Sequence, residues 1–289
     1  MSSTLVAVIA TLLLGHFARP LAVLRHHDAF VGWLGWLGRE GSSLRAAALL
    51  IGLTLPLLIV ATLQWLLDGW AYGLPALAFG VLALFYAWGP RDLEHDVDAV
   101  IHADVMGREA AAKALFPQRD DVSVEGGPLV EAVFRCALWR WFGPLFWFFV
   151  LGPLGAVGYR LVALAAQGEA RSRLPDGQRD TASTVHDILD WPVAQLMTLT
   201  LALAADFDAV IGAWRAWHSE GLRLGLGHLE AAARVSVAVE LAEDDVEASD
   251  GPAQAPALLE LRDAMSLCWR ILLIWVGVLA LFVVAGFVG

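Results

Sequence analysis

Long apolar stretches recur along the chain and predict helices that cross a membrane. Four of them cover residues 4–18, 46–67, 73–88 and 269–288. A helix of about 20 apolar residues crosses a hydrocarbon core about 30 Å thick, and the first stretch is short for a full span. The pattern therefore predicts an all-α fold: a polytopic membrane helix bundle with cytoplasmic amphipathic helices, in which residues 1–289 form a single membrane domain.

Two further apolar runs are ambiguous, one at 143–166 and one at roughly 187–205. The dipeptide Gly152-Pro153 interrupts the first of them. Either both runs span, which leaves 167–185 outside, or they form a re-entrant or interfacial hairpin. Irregular backbone at membrane depth persists only where it is buried in protein or lines a cavity, so the break favours a packed hairpin. The sequence leaves both alternatives open.

The positions of lysine and arginine predict the orientation of the helices. Four of these residues lie between the first two helices, six lie between 88 and 143, and four lie between 205 and 269, whereas none precedes the first helix. Loops that are rich in lysine and arginine stay in the cytoplasm. We therefore expect a multi-pass protein of the bacterial inner membrane, with both termini periplasmic and the large loops cytoplasmic.

The cytoplasmic regions are predicted at 89–142, a helical loop, and at 207–267, a helical region. In the first, apolar residues repeat at the spacing of a helix that lies on the membrane or on the bundle, at Leu93, Val97, Val100 and Ile101. A similar apolar stripe runs from Leu222 to Val237. Residues 242–257 are acidic and rich in alanine and proline, and they predict a solvated linker to the last helix.

Composition narrows the partners that the chain can have. Hydrophobic residues make up 58% of it, which favours contact with the lipid bilayer, and the net charge is −11. Because phosphate recognition needs clustered lysine and arginine, no nucleic acid partner is expected.

His95, Asp98 and His102 could present ligands to a divalent metal, but they fit a solvated helix face equally well. We predict no metal site.

Arg160 is the most informative single residue, because it lies within an otherwise uncharged run, where an unpaired charge is costly. Asp187 and Asp190 share one face of the predicted helix that begins near Ser183. We therefore predict an ion pair from Arg160 to Asp187 or to Asp190. Such a pair could simply lock two helices together. Alternatively, it could line a polar cavity that binds a ligand.

Several short motifs share their spacing with a known superfamily. Pro144-Leu145-Phe146-Trp147 begins thirteen residues after Glu131, and Tyr159-Arg160 begins fifteen residues after Pro144. These motifs resemble the CobD/CbiB superfamily of membrane proteins, whose cobalamin-pathway members join an aminopropanol moiety to a corrinoid through an ATP-dependent amide bond. His186 to Trp191 is similar to the superfamily's DDxxNY, with Asp190 replacing the asparagine. Gly107 to Lys113 and Arg119-Asp120 resemble its GDxxxAR and GRD stretches more loosely.

The departures from that superfamily remove polar residues of its site. Arg135 and Cys136 stand in place of polar residues after Glu131, and residues 163–166 read ALAA. The chain is closer to the AmpE branch, inner-membrane proteins associated with AmpD and with inducible β-lactamase in Gram-negative bacteria. This resemblance covers nearly the whole chain and includes Gly89 to Leu93, Ile188 to Trp191 and the lone C-terminal helix.

The resemblance implies, as a first hypothesis, a regulatory or signalling protein of AmpE type, linked to β-lactamase induction and cell-wall recycling. Its expected ligands are small cell-wall-derived metabolites, and its expected partner is another membrane or cytoplasmic protein. A polar pocket on the cytoplasmic side would bind the ligand through Tyr159, Arg160, Asp187, Asp190, Glu131 and His186.

The resemblance also implies a second hypothesis, a membrane-bound ATP-dependent amide-forming enzyme similar to cobinamide-phosphate synthase. Its cofactors would be ATP and Mg²⁺, with Glu131 and Asp187 on the magnesium ion. Arg160 would hold phosphates together with three further arginines, namely Arg91, Arg108 and Arg119. A third hypothesis is a helix bundle that only scaffolds other membrane proteins, which predicts tolerance of Arg160→Ala.

Overall fold

A computed structural model describes residues 3–17, 27–39, 44–69, 73–89, 92–104, 106–116, 122–219, 221, 224–247 and 256–285. These residues form fourteen α-helices and no strand, which confirms the all-α prediction for the part of the chain described. The helices are α1 Ser3–Phe17, α2 Asp28–Leu37, α3 Ala48–Leu67, α4 Leu74–Ala87, α5 Leu93–His102, α6 Arg108–Ala112, α7 Gly126–Ala137, α8 Gly143–Leu151, α9 Pro153–Ala166, α10 Gly168–Ser172, α11 Asp176–Ala204, α12 Phe207–His218, α13 Gly227–Glu247 and α14 Pro256–Val284.

Two of the described helical segments are long and apolar enough to cross a membrane. They are Arg45–Leu67, which includes α3 and the 3-10 turn before it, and Ala257–Val284 in α14. Leu74–Ala87 and Pro153–Ala166 are apolar but shorter. The predicted spans at 46–67 and 269–288 thus fall on helices of sufficient length, whereas the predicted span at 73–88 falls on a shorter one.

The last helix begins earlier than its hydropathy suggests. The sequence pattern places the acidic linker at 242–257, yet α13 continues to Glu247 and α14 begins at Pro256. Alanine and glutamate at the start of the predicted linker favour the continuation of α13. Proline is well tolerated in the first turn of a helix, so α14 can begin at Pro256. The helix α13 therefore extends into the predicted linker, and residues 248–255 lie outside the described part of the chain.

The helices divide into two compact units. The first unit contains Met1–Pro90, Trp139–Leu189 and Val276–Gly289, and the second contains Arg91–Leu138 and Asp190–Trp275. In the first unit, α9 packs against both α3 and α4, while α1 packs against α4 and α2 against α3. Gly52 lets α2 approach α3 closely, because a Cβ atom there would overlap the Leu34 side chain.

The ambiguous run at 143–166 folds back on itself as a helical hairpin, α8 followed by α9. Gly152 turns the chain with φ +66°, a conformation that favours glycine. Gly143 lies against the Tyr159 ring and Gly155 against the Trp147 carbonyl, so the two helices are antiparallel. Both ends of the run therefore lie at the same end of the hairpin. The run at 187–205 instead belongs to α11, one continuous 29-residue helix that contains Pro192.

Ion pairs link two antiparallel helices in the second unit. Arg234 on α13 pairs with Glu131 on α7 at 3.0 Å, and Arg135, one turn further along α7, pairs with Glu230. The later residue of α7 pairs with the earlier residue of α13, so the two helices run in opposite directions. The helix α12 also packs against α13.

Candidate functional site

Arg160 lies in the first unit, on the face of α9 that packs against α4, and only 5% of its surface is exposed. Its guanidinium donates to main-chain carbonyls on two different segments. The Nε–H group donates to the Ala87 carbonyl at 2.6 Å, and an Nη2–H group donates to the Trp139 carbonyl at 3.4 Å. The arginine thus joins α9 to the end of α4 and to the segment before α8.

Local backbone geometry makes both carbonyls available to Arg160. Ala87 is the last residue of α4, and the last four carbonyls of a helix have no partner within it. Trp139 lies in a π-helical segment, Leu138–Phe142, whose wider turn departs from the α-helical hydrogen-bond pattern. The C-terminal end of α4 also carries partial negative charge, which stabilises the guanidinium.

Tyr159 and His186 complete a cluster around Arg160 that we call the arginine site. Tyr159 is buried, and its ring occupies the space that a Cβ atom at Gly143 would fill. The His186 ring, also buried, lies 5.9 Å from the Tyr159 ring and 5.8 Å from the Trp139 ring. A nitrogen of Gln167 lies 3.4 Å from His186 Nε2.

His186 is neutral at physiological pH. Burial, and then the positive charge of Arg160, lower the pKa of His186 to about 4. A neutral imidazole can both donate and accept a hydrogen bond, whereas the guanidinium only donates. The arginine site therefore combines one fixed positive charge, one neutral imidazole and one phenol within apolar helices.

Asp187, one of the two alternative partners predicted for Arg160, does not pair with it. Its side chain is exposed on α11, and no hydrogen bond or ion pair joins it to Arg160 among the described residues. The reason is helical spacing, because the buried face of α11 carries His186 and Asp190 rather than Asp187. Asp190 is 2% exposed, and its pairing with Arg160 stays a prediction.

The other predicted site residues have more local roles. Glu131 lies on α7 in the second unit, where Arg234 already neutralises its carboxylate. Arg108 begins α6 and donates from Nη2 to the Ala103 carbonyl at 3.4 Å, while its buried Nε–H group has no acceptor within the described residues. Arg91 and Arg119 lie outside the part of the chain that the structure describes.

No group of three or more metal-ligating side chains occurs in the described part of the chain. Of the residues that could have ligated a metal, His102 bonds through Nδ1 to the Asp98 carbonyl at 2.9 Å, one turn back along α5. That local bond is typical of a residue near a helix end.

Two glutamines that the sequence reasoning missed hold helix ends in the first unit. Gln64 Oε1 accepts from Leu154 N–H at 3.1 Å, and its Nε2 group donates to the Leu151 carbonyl at 3.5 Å, so one side chain bridges the turn of the hairpin. Gln178 accepts from Leu49 N–H at 2.8 Å and donates to the Arg45 carbonyl at 2.8 Å, at the start of α3. A lone glutamine within the apolar run at 46–67 was a usable indication of the first contact.

The arginine site is thus built from residues of α4, α9, α11 and the π-helical segment that lie in the first unit. Comparison with protein-family models, with curated proteins and with solved structures finds no match to this chain.

Proposed function

We propose that this chain is a multi-pass protein of the bacterial inner membrane, of AmpE type, which regulates β-lactamase induction in response to cell-wall recycling. Its ligand is a small, anionic, cell-wall-derived metabolite. Its partner is another membrane or cytoplasmic protein that receives the response.

The observation that carries this proposal is the buried arginine site. Removing a guanidinium from water is costly, and a charged residue buried among apolar helices is more often functional than part of a simple scaffold. Arg160 supplies positive charge, while His186 and Tyr159 supply hydrogen-bonding groups that an anionic ligand can use. The exposed Asp187, next to His186 on α11, would contact an amino or hydroxyl group of the ligand.

The proposed membrane arrangement uses the apolar helices. The segments Arg45–Leu67 and Ala257–Val284 cross the bilayer, the shorter helices α1 and α4 cross it where the bilayer is locally thinner, and the α8–α9 hairpin is re-entrant. The lysine- and arginine-rich region at 89–142 follows α4 directly, so the end of α4 at Ala87 faces the cytoplasm. Because Arg160 bonds to that end, we infer that the arginine site lies on the cytoplasmic side.

Deletion and complementation of the gene test the regulatory role. We expect deletion to change β-lactamase induction and the pool of recycled wall metabolites. Wild-type protein should restore both, and Arg160→Met should not, although it should still reach the membrane. The matched control is Arg173→Met, since Arg173 is an exposed arginine of the same unit that pairs with Glu169. Unchanged induction and unchanged metabolites on deletion would refute the regulatory role.

The alternative is a membrane-bound ATP-dependent amide-forming enzyme, and Arg108 is the residue that favours it. Its buried Nε–H group has no acceptor within the described residues, and a phosphate oxygen would supply one. Against it, the Glu131 carboxylate is engaged by Arg234 rather than open to Mg²⁺. Titration of the purified protein with ATP and Mg²⁺ separates the two functions, because only the enzyme should bind nucleotide and lose that binding in Arg108→Met.

A further inference from the structure

A cavity of about 550 Å³ lies in the first unit, where α3 ends and the α8–α9 hairpin turns. Apolar side chains form most of its walls, among them Leu77, Phe79 and Phe148. The residues at its polar side come from the last turn of α3 and the residue after it, namely Gln64, Trp65 and Asp68. None of these belongs to the arginine site.

Three features make this cavity attractive to a cation. Asp68 is exposed and makes no hydrogen bond or ion pair within the part of the chain described. It follows the last residue of the 20-residue helix α3, whose free carbonyls and dipole add partial negative charge at the same end. Trp65 is 77% exposed, and the face of its indole ring attracts cations.

The cavity offers no comparable attraction to an anion. The N-terminus of α9 also lies there, but its first donors are already used. Leu154 N–H donates to Gln64, and the N–H groups of Gly155 and Ala156 donate to the Gly152 carbonyl at 3.0 and 3.3 Å. Pro153 has no N–H group. A phosphate at this helix end would therefore find no free donor among these residues.

We propose that this cavity binds the primary ammonium group of a membrane lipid, phosphatidylethanolamine. The ammonium group contacts Asp68 and the Trp65 ring, and an acyl chain packs against Phe79 and Phe148. The choice of a lipid follows from the setting, because α3 is an apolar helix of spanning length and Trp65 lies near its end, where tryptophan marks the membrane interface. The inference rests on the proposed membrane insertion, and not on the regulatory role.

Native mass spectrometry of the detergent-purified full-length protein tests this binding. The probes are phosphatidylethanolamine, phosphatidylcholine and phosphatidylglycerol with identical acyl chains. We expect phosphatidylethanolamine to be retained about fivefold better than phosphatidylglycerol, the effect of one partly exposed charge contact. Phosphatidylcholine should be retained less well than phosphatidylethanolamine, because its methylated ammonium group cannot donate to Asp68.

Two variants and one matched control locate the effect. Asp68→Asn should bring retention of phosphatidylethanolamine and phosphatidylglycerol to within about twofold, and Trp65→Leu should reduce the preference partly. Asp28→Asn should keep it, because Asp28 is an exposed aspartate of the same unit that does not line the cavity. Selectivity that survives Asp68→Asn, or equal retention of all three lipids by the wild type, would overturn the inference. A protein that needs no detergent would instead refute the proposed membrane insertion.

Discussion

Polar side chains in the two units have different kinds of partner. In the first unit, buried or half-buried polar side chains bond to main-chain groups at helix ends: Arg160 at the end of α4, Gln64 at the hairpin turn and Gln178 at the start of α3. In the second unit, charged side chains pair with each other, as in Arg234 with Glu131 and Arg270 with Glu240.

The difference follows from what surrounds each helix end. Where helices are apolar on most sides, water cannot satisfy the free carbonyl and N–H groups at their ends, so a side chain must do so. Partly exposed ion pairs, by contrast, lose little hydration when they form, and they contribute little to the free energy of unfolding. The first unit should therefore respond strongly to single substitutions, and the second should respond mainly to salt.

The largest effect is expected from Arg160→Met, which removes the donor from two buried carbonyls. We expect it to lower the free energy of unfolding by about 3 kcal/mol, since hydrogen bonds to charged groups are strong and the carbonyls are left without a partner. Thermal unfolding in detergent measures the change. The control Arg173→Met should change stability by less than about 0.5 kcal/mol, as for other exposed pairs. Equal effects of the two variants would mean that Arg160 does not hold the first unit together.

Gly143→Ala should be the next most damaging change, at about 2 kcal/mol, because its Cβ atom would overlap the Tyr159 ring and force the hairpin apart. Gly177→Ala is the matched control, in the first turn of α11, where a Cβ atom meets nothing within 4 Å. We expect that control to stabilise the protein by about 0.5 kcal/mol. Chemical denaturation in mixed micelles should show opposite signs for the two alanines. The same sign for both would contradict the close contact of α8 and α9.

Gln64→Leu should cost about 1–2 kcal/mol, because it leaves the Leu154 N–H and Leu151 carbonyl groups at the hairpin turn without their side-chain partner. Gln64→Glu keeps an acceptor for Leu154 N–H and should restore part of the loss. Thr62→Val serves as control, since the Thr62 hydroxyl donates only to the Leu58 carbonyl of its own helix. Hydrogen exchange at Leu154 measures the local effect, and exchange that is unchanged in Gln64→Leu would exclude the bridge.

One histidine in each unit should make stability depend on pH. Burial and Arg160 lower the pKa of His186 to about 4, and burial and His218 lower the pKa of His228 to about 4. Both are below the unfolded value of about 6.5, so the unfolded chain binds more protons and stability falls as pH falls from about 6.5 to 4. We expect a loss of about 1 kcal/mol per histidine at pH 5.5. Melting temperatures of His186→Gln and His228→Gln should each fall less steeply with acid than those of the wild type.

The smallest effect is expected from the ion pairs of the second unit. A double-mutant cycle with Glu131→Gln and Arg234→Gln should give a coupling energy of about 0.5–1 kcal/mol that shrinks in 1 M salt. The exposed pair of the first unit, Glu169 with Arg173, should give about 0.3 kcal/mol in the same cycle. A coupling above about 2 kcal/mol that is insensitive to salt would remove the distinction between the two units.

The sequence alone was sufficient to predict which segments are helical and apolar, because hydropathy and periodicity are local properties. It predicted α3 and the break at Gly152. It did not predict that α13 continues through the acidic stretch to Glu247, since helix propensity there exceeds the effect of charge. The membrane orientation and the AmpE resemblance remain predictions.

Which groups meet was decided only by the tertiary structure. Hydropathy indicated that Arg160 needs a partner, but the carbonyls of Ala87 and Trp139 become available only because α4 ends there and the chain widens into a π-helical segment. The rotation of α11 likewise buries His186 and leaves Asp187 exposed, although the two are neighbours in the chain. Helix periodicity fixes which residues share a face, but only packing between helices determines which face is buried.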